Sequence, residues 1–348
     1  MKHLDADLMA GLVKRGPRAV PTEHRPDEPC SGGRPVCDPL GMVDETREHG
    51  VRQAAFARLD QLIAQHPDAV PAARLLEGFE WQGRRFTLMG QGPGIWKPRG
   101  LDAALSILTA PPKPGEPPPY DDDWLDETQL RYAYRGTDPS MWQNAALRLA
   151  YEHQLPIVYL YGVAKSRYLP VYPAFVGRDR PAELAVDVVF QAGDEDRGVA
   201  MEIDGRAYVT RPTRQRLHQH GFRVRVLEAY RRRCAMCALR RGPLLDAAHI
   251  VPHSEPEGLA VTANGLSLCK LHHAAYDQWL LGVRPGDLRI EVTRDVLDEI
   301  DGPMLRHGLQ DLDGESLRVL PRRPVDRPSD ERLAWRHERF RQHGGPMR

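Results

Sequence analysis

The 348-residue chain sets 48 Lys and Arg against 48 Asp and Glu, with 41% hydrophobic and 28% charged residues. That length allows two or three cores, and that composition excludes a wholly disordered chain. A net charge of zero leaves only local charge to argue for a polyanionic partner. No run of 18 apolar residues occurs, so no membrane-spanning helix or membrane partner is expected. The opening residues MKHLDADLMAGLVKRGPRAV lack the apolar stretch of a secretory leader. Five cysteines, an odd number, exclude a complete disulfide framework. They favour a cytoplasmic chain whose thiolates are open to metal.

Residues 1 to about 42 are rich in Pro, Gly and charge without a period, and are expected to be an irregular arm. Over 43–66, Val51, Ala55, Leu59, Leu62 and Ile63 fall on one stripe ended by Pro67, which predicts a helix. FEWQGRRFTLMG reads as strand, GQGPGIWKPRG as turns and ALSILTA as a short strand. PPKPGEPPP at 111–119 cannot be regular structure and predicts an exposed loop. QLRYAYRG alternates, MWQNAALRLAYEHQ at 141–154 is helical, and PIVYLYGVA, YLPVYPAFVGR and LAVDVVF are further strands. Many strands with few helices predict a compact β-barrel domain over about 75–205.

Residues 211–241 hold ten Arg, no Lys and one acid, Glu228. A helix is expected from about Gln215 to Arg232. Beyond Trp279, LLGV, LRIEV and SLRVL read as short strands, and a basic helix closes the chain near 329–342. The fold expected is α+β in three parts: arm plus helix over 1–74, the barrel over 75–205, and a basic, zinc-stabilised C-terminal domain over 206–348.

The strongest signal is Cys234-Ala-Met-Cys237 followed, after 31 intervening residues, by Cys269-Lys-Leu-His272. Two such pairs have the spacing of a closed tetrahedral zinc site, because each two-residue gap lets a turn aim both ligands at one ion. Cys30 and Cys37 sit in the arm and read as free thiols. Between the pairs the pattern is strand, loop, strand, helix, with His249 closing the first strand and His272 and His273 opening the helix. Neighbours on a helix point about 100° apart, so His272 can face zinc while His273 faces elsewhere.

The AAHI, NGL and LCxxHH segments over roughly 220–283 resemble the HNH nuclease family, with its ββα-metal fold. The resemblance implies His249 as general base in phosphodiester hydrolysis, an imidazole near half-ionised at working pH. It implies that His273 binds a catalytic divalent ion such as Mg²⁺ or Mn²⁺. Asn264 would orient His249 or its loop, or be a plain Asn-Gly turn residue. Where many relatives carry a metal-binding acid or His directly before the base, this chain has Ala248. Asp246 is the replacement considered, or else a structural acid. Because 246 and 249 point to opposite faces of a regular strand, its role as ligand requires a kink. His253 is a weaker alternative.

The Arg-rich stretch predicts contact with DNA phosphates, through Arg214, Arg216, Arg231, Arg232 and Arg233; the competing reading is a solvated helix face. Upstream, GPGIWKPRGLDAALSILT, PYDDDWLDE, YAYRGTDPSMWQNAALRLA and LPIVYLYGVAKSRYLPVYPAFV resemble the SRA-like, PUA-type readers fused to HNH nucleases in modification-dependent restriction enzymes. Such readers extrude a nucleotide and stack it on aromatics. Trp96, Tyr120, Tyr132 and Tyr134, with Asp121, Asp138 and Asn144, are the pocket candidates, and each also has a structural reading as core, anchor or helix start. The expectation is a metal-dependent endonuclease of a restriction system, cutting modified double-stranded DNA of the 5-methylcytosine type. The alternatives are an HNH endonuclease for phosphorothioate or unmodified DNA, and a non-catalytic zinc-stabilised DNA-binding protein. One active site per chain leaves a homodimer or two sequential nicks open.

Overall fold

The computed structural model describes residues 43–92, 94–113, 115–116, 124–190 and 214–345. The arm with Cys30 and Cys37, and the pocket candidates Tyr120 and Asp121, lie outside the described residues. In chain order the elements are α1 (Glu45–Gln65), β1 (Val70–Pro71), α2 (Ala72–Glu77), β2 (Phe79–Trp81), β3 (Arg84–Phe86), β4 (Gly94–Trp96), β5 (Ser106–Leu108) and β6 (Gln129–Ala133). α3 (Trp142–Glu152), β7 (Ile157–Ala164), β8 (Arg167–Arg180), β9 (Ala185–Val189) and α4 (Arg214–Ala229) follow. The C-terminal part is β10 (Leu245–His249), β11 (Gly265–Cys269), α5 (Lys270–Asp277), β12 (Leu281–Val283), β13 (Ile290–Val292), α6 (Arg294–Asp298), α7 (Pro303–Gly308) and α8 (Asp330–Gln342). Among the described residues no helix is long and apolar enough to cross a membrane.

The main sheet runs β4-β5-β7-β8-β9-β6, with β1 also paired to β8. The fourteen-residue β8 holds it together: Arg167 to Ala174 pair with β7 and Phe175 to Arg180 with β9, the second ladder shifting register between Val176 and Arg178. The sheet curls, so that its end strands β4 and β6 line one 260 Å³ cavity. β4 and β6 are not hydrogen-bonded to each other. The expected barrel is therefore a half-barrel with a seam, because three-residue β4 pairs only with β5. That strand formed within the stretch expected to be all turns.

Two apolar cores lie on the sheet. One face buries Val51, Ala55, Phe56, Leu59 and Leu62 of α1 against Leu105, Val158 and Leu160. Ile63 of the expected stripe sits at the rim, 36% exposed. A buried ion pair on the same helix was not foreseen. Arg52 reaches Glu48, and also donates to the carbonyls of Pro156 (2.8 Å) and Ala104 (2.7 Å). Glu48 in turn accepts from the Asp102 and Ala103 amides at 2.6 and 3.1 Å. The other face packs α3 and α4 on Tyr159, Tyr161 and Val163. A third core lies in the C-terminal unit, and α4 joins it with Phe222, Val226 and Leu227, followed by Tyr230 just past its end. SLRVL at 316–320 is no strand. Only Ser316 makes a bridge, to Arg289, and the Arg318 and Val319 amides turn instead to the Ala235 carbonyl beside the cysteine knuckle.

Candidate active site and metal centre

Cys234 opens a tight turn in which the Ala238 amide returns to the Cys234 carbonyl at 3.0 Å, with Ala238 in the left-handed region at φ 61°. The Ala235 amide donates to Ser267 of β11 at 2.6 Å, fixing the knuckle beside the second ligand pair. Cys234, Cys237, Cys269 and His272 bring their ligand atoms within 4.8 Å of one another. The imidazole presents Nδ1, 3.2 Å from the Cys234 sulfur and 3.3 Å from that of Cys269. Its Nε2–H donates to the Gly308 carbonyl at 2.8 Å. That bond sets the tautomer that leaves Nδ1 free to ligate. Neighbouring thiols hold Cys237 up and push Cys269 down towards thiolate. Three soft sulfurs and one imidazole are the donor set of a closed tetrahedral site, whose sulfurs would stand about 3.8 Å apart around zinc. The cluster fits a metal ion of that kind.

β10 and β11 form the hairpin, paired from Leu245 opposite Cys269 to His249 opposite Gly265 with no register shift. Gly265 is required there: a Cβ would lie 2.4 Å from Val226 and 2.9 Å from Phe222 of α4. This close approach lets the Phe222 ring stack on His249, with centroids 4.0 Å apart and planes 17° from parallel. Burial first, then the neighbouring His253, and also His273, push His249 down to about 4, with Asp277 opposing. His249 is therefore neutral at working pH rather than half-ionised. Asn264, fully buried, accepts from the Val251 amide (2.9 Å) and donates to the Val251 and Leu259 carbonyls (3.0 Å each). It fixes the loop leaving His249 and is more than a turn residue.

The unshifted ladder lacks the kink that Asp246 required, so Asp246 and His249 lie on opposite faces. Asp246 accepts from Lys270 at 2.8 Å, the Ala247 amide at 3.0 Å and Arg223 at 3.2 Å. Burial works against its ionisation, but Lys270, that amide and Arg223 outweigh it and hold the carboxyl below its usual range. Its nearest approach to His273 is 3.8 Å, at Nδ1. On the other side of that ring, Nε2 lies 3.2 Å from Asp277. Asp277 was missed in the sequence. The signal was there in the i,i+4 spacing that places it one turn beyond His273 on the same helix face.

The Arg-rich helix is neither a solvated face nor free for phosphate throughout. Arg223 and Arg232 both reach Asp68, the latter at 2.5 Å, and Arg225 donates to the Ala260 carbonyl at 2.8 Å. The Arg214 amide donates to the Glu127 carbonyl at 3.0 Å, while Arg216 and Arg231 are exposed and Arg233 half-buried. Tyr132 of β6 and Tyr134, just past its end, both line the seam cavity with Ile95, Leu108 and Leu130. Their hydroxyls are held by the Leu108 carbonyl (3.0 Å) and by Asp179. The other candidates are placed for structure. Trp96 donates to the Thr87 carbonyl at 3.1 Å, Asp138 caps the Ser140 amide at 2.8 Å, and Asn144 clamps Arg135 and Asp138 backbone.

Residues 234–284 match a family described as HNH endonuclease. The chain carries an HNH endonuclease domain. By that domain it is an endonuclease. No curated protein matches the chain. A solved structure titled "Modification dependent TagI restriction endonuclease" aligns over 68% of this chain and 82% of its own, at 18% identity and a TM-score of 0.26. A superposition that low carries no argument about fold or activity. The family match covers the cysteine knuckle, hairpin and α5, and leaves the sheet unit outside it.

Proposed function

We propose that this endonuclease belongs to a restriction system and hydrolyses phosphodiester bonds in modified duplex DNA of the 5-methylcytosine type, in a reaction that needs a divalent ion. The observation that carries the reading is the His249 ring, stacked on Phe222 and near enough to His273 and Asp277 to be influenced by both. A general base must be unprotonated to accept the proton of the attacking water, and stacking on Phe222 provides that state. His273 and Asp277 would hold Mg²⁺ or Mn²⁺, which supplies an electrophile for the phosphate and the leaving oxygen. Asn264 is a positioning residue, acting through the loop it clamps. The Cys₃His cluster would hold Zn²⁺ as a fold element, separate from the reaction.

The seam cavity supports the modified-base part of the reading. Two aromatic rings and a volume of 260 Å³ suit one extruded nucleobase, and a half-barrel open at its seam gives a base a way in. Digestion of matched duplexes that differ only in cytosine modification, with Mg²⁺ or Mn²⁺, tests it. Cleavage of the modified duplex alone, abolished by His249→Ala, is expected. Equal cleavage of both duplexes would remove the modification part, and undiminished cleavage by His249→Ala would remove the assignment of the base.

A further inference from the structure

We propose that the basic cleft between the sheet and the nuclease hairpin is a second DNA-backbone site, with Lys113, Lys165, Arg231 and Arg322 as its phosphate contacts. The proposal rests on the reading of duplex DNA as substrate. The cleft has a volume of 520 Å³ and is walled by five separate stretches of chain, four of which carry the proposed contacts. Lys113 comes from the Pro-rich segment after β5, Lys165 from the tight β7–β8 turn, Arg231 from the exit of α4, and Arg322 from the C-terminal segment before α8.

Six cations and three acids line the cleft. Two of the acids are occupied: Glu228 by Arg167 at 3.3 Å, and Asp326 by Arg323 at 2.7 Å. Arg225 is tied to the Ala260 carbonyl. The side chains of Lys113, Lys165, Arg231 and Arg322 are exposed and have no hydrogen bond or ion pair among the described residues. The third acid, Glu116, is exposed, so four cations face one free carboxylate; the excess positive charge around one concavity focuses a potential that a polyanion relieves. Their origin in four chain segments suits a backbone with successive phosphates better than a single small anion.

Position supports the same occupant. Arg225 lies one helical turn along α4 from Phe222, the ring stacked on His249. Thr262, also in the wall, precedes Asn264 by two residues. The cleft therefore adjoins the nuclease through the two elements that position the base. A duplex lying in it would be held beside the reacting phosphate by contacts that read no sequence.

The test is fluorescence anisotropy with an unmodified labelled duplex, using the full zinc-loaded chain without added divalent ion, across a salt series. The triple variant Lys113→Ala/Lys165→Ala/Arg322→Ala is compared with wild type, with melting temperature and zinc content as folding controls. Each lost phosphate contact lowers the slope of log K against log salt by about 0.9, so a fall of about 2.7 and a loss of affinity of at least roughly tenfold are expected. Unchanged slope and affinity in a folded variant would overturn the proposal. So would an unchanged DNA slope together with loss of stabilisation by inorganic phosphate, which would assign the cleft to a small anion. Failure of wild type to bind any duplex would instead overturn the DNA reading itself.

Discussion

The neutrality of His249 can be tested directly. The ring is buried against Phe222 at 4.0 Å, and its pKa is lowered to about 4. At pH 6 an ordinary imidazole is about one-quarter neutral, whereas one with this pKa is about 99% neutral. The acid limb of kcat/KM should therefore be flat from pH 8 down to about 5 and reach its midpoint near 4. Phe222→Leu keeps an apolar residue in the core but removes the ring from the stack, admitting water to the imidazole. Its midpoint should move towards 6.5, giving a loss of up to about fourfold at pH 6 and little at pH 8. NMR titration of the His249 ring protons gives the same quantity without turnover. Stability should follow with a definite sign. Because the folded pKa lies below the unfolded one, the unfolded chain binds the extra proton between about pH 4 and 6.5. The stability associated with His249 is full above 6.5 and falls as pH drops through that window, by up to about 3 kcal/mol. The difference between wild type and His249→Gln in urea titrations isolates it. A ring that titrates near 6.5 in the wild type would refute the argument.

Cys237→Ser should release zinc and unfold the knuckle and hairpin, because structural zinc contributes about 10–16 kcal/mol, comparable with the whole stability of a domain. Metal analysis and thermal melts check this, and His249→Ala should keep its zinc. Glu48→Ala leaves the guanidinium of Arg52 buried and unpaired, and should cost about 3–5 kcal/mol in urea unfolding, with much of it recovered when Arg52→Met is added. Asn264→Ala strips one acceptor and two donors from a fully buried site; about 1–3 kcal/mol of stability and a lower kcat at similar DNA affinity are expected from melts and single-turnover rates. Asp277→Asn should raise the Mn²⁺ concentration needed for half-maximal cleavage, whereas Asp246→Asn should lower the melting temperature with that requirement kept; the reverse pattern would return Asp246 to the role of metal ligand.

What was legible in the sequence is what local spacing encodes. Val51, Ala55, Leu59 and Leu62 announce α1 because the helical period alone puts them on one face. The two cysteine pairs converge because each is a turn closed by its own short gap, and Tyr132 and Tyr134, two apart, line one cavity. What depends on distant partners was not legible. β4 is a strand only because β5 lies beside it, and SLRVL is none because Ala235 takes its amides. The Arg-rich stretch shows the limit most clearly. Ten arginines read as one electropositive surface, yet Asp68, far upstream in a short linker, takes up Arg223 and Arg232. A local charge count cannot see an acid 155 or more residues away. The cations left without partners include Lys113, Lys165 and Arg322, which lie in segments no charge run marked.

The placement of α4 says why the two halves of the chain act together. Leu217 and Val224 belong to the core of the sheet, while Phe222, Val226 and Leu227 belong to that of the nuclease. One helix thus has apolar faces on both sides, and neither core is complete without it. A polar path runs parallel to it: Asp68 to Arg223, Arg223 to Asp246, and Asp246 to Lys270 at the head of α5. Both routes end beside the candidate site, one at the ring stacked on His249 and the other at the helix that carries His273. Parting the units would expose apolar faces of α4 and break the Asp68 pairs, so a loose tether between the sheet and the nuclease domain is unfavourable here. On the function proposed above, DNA held by the sheet unit would be presented to His249 at a distance set by packing, and a displacement of α4 would reach His249 through its stacked neighbour Phe222.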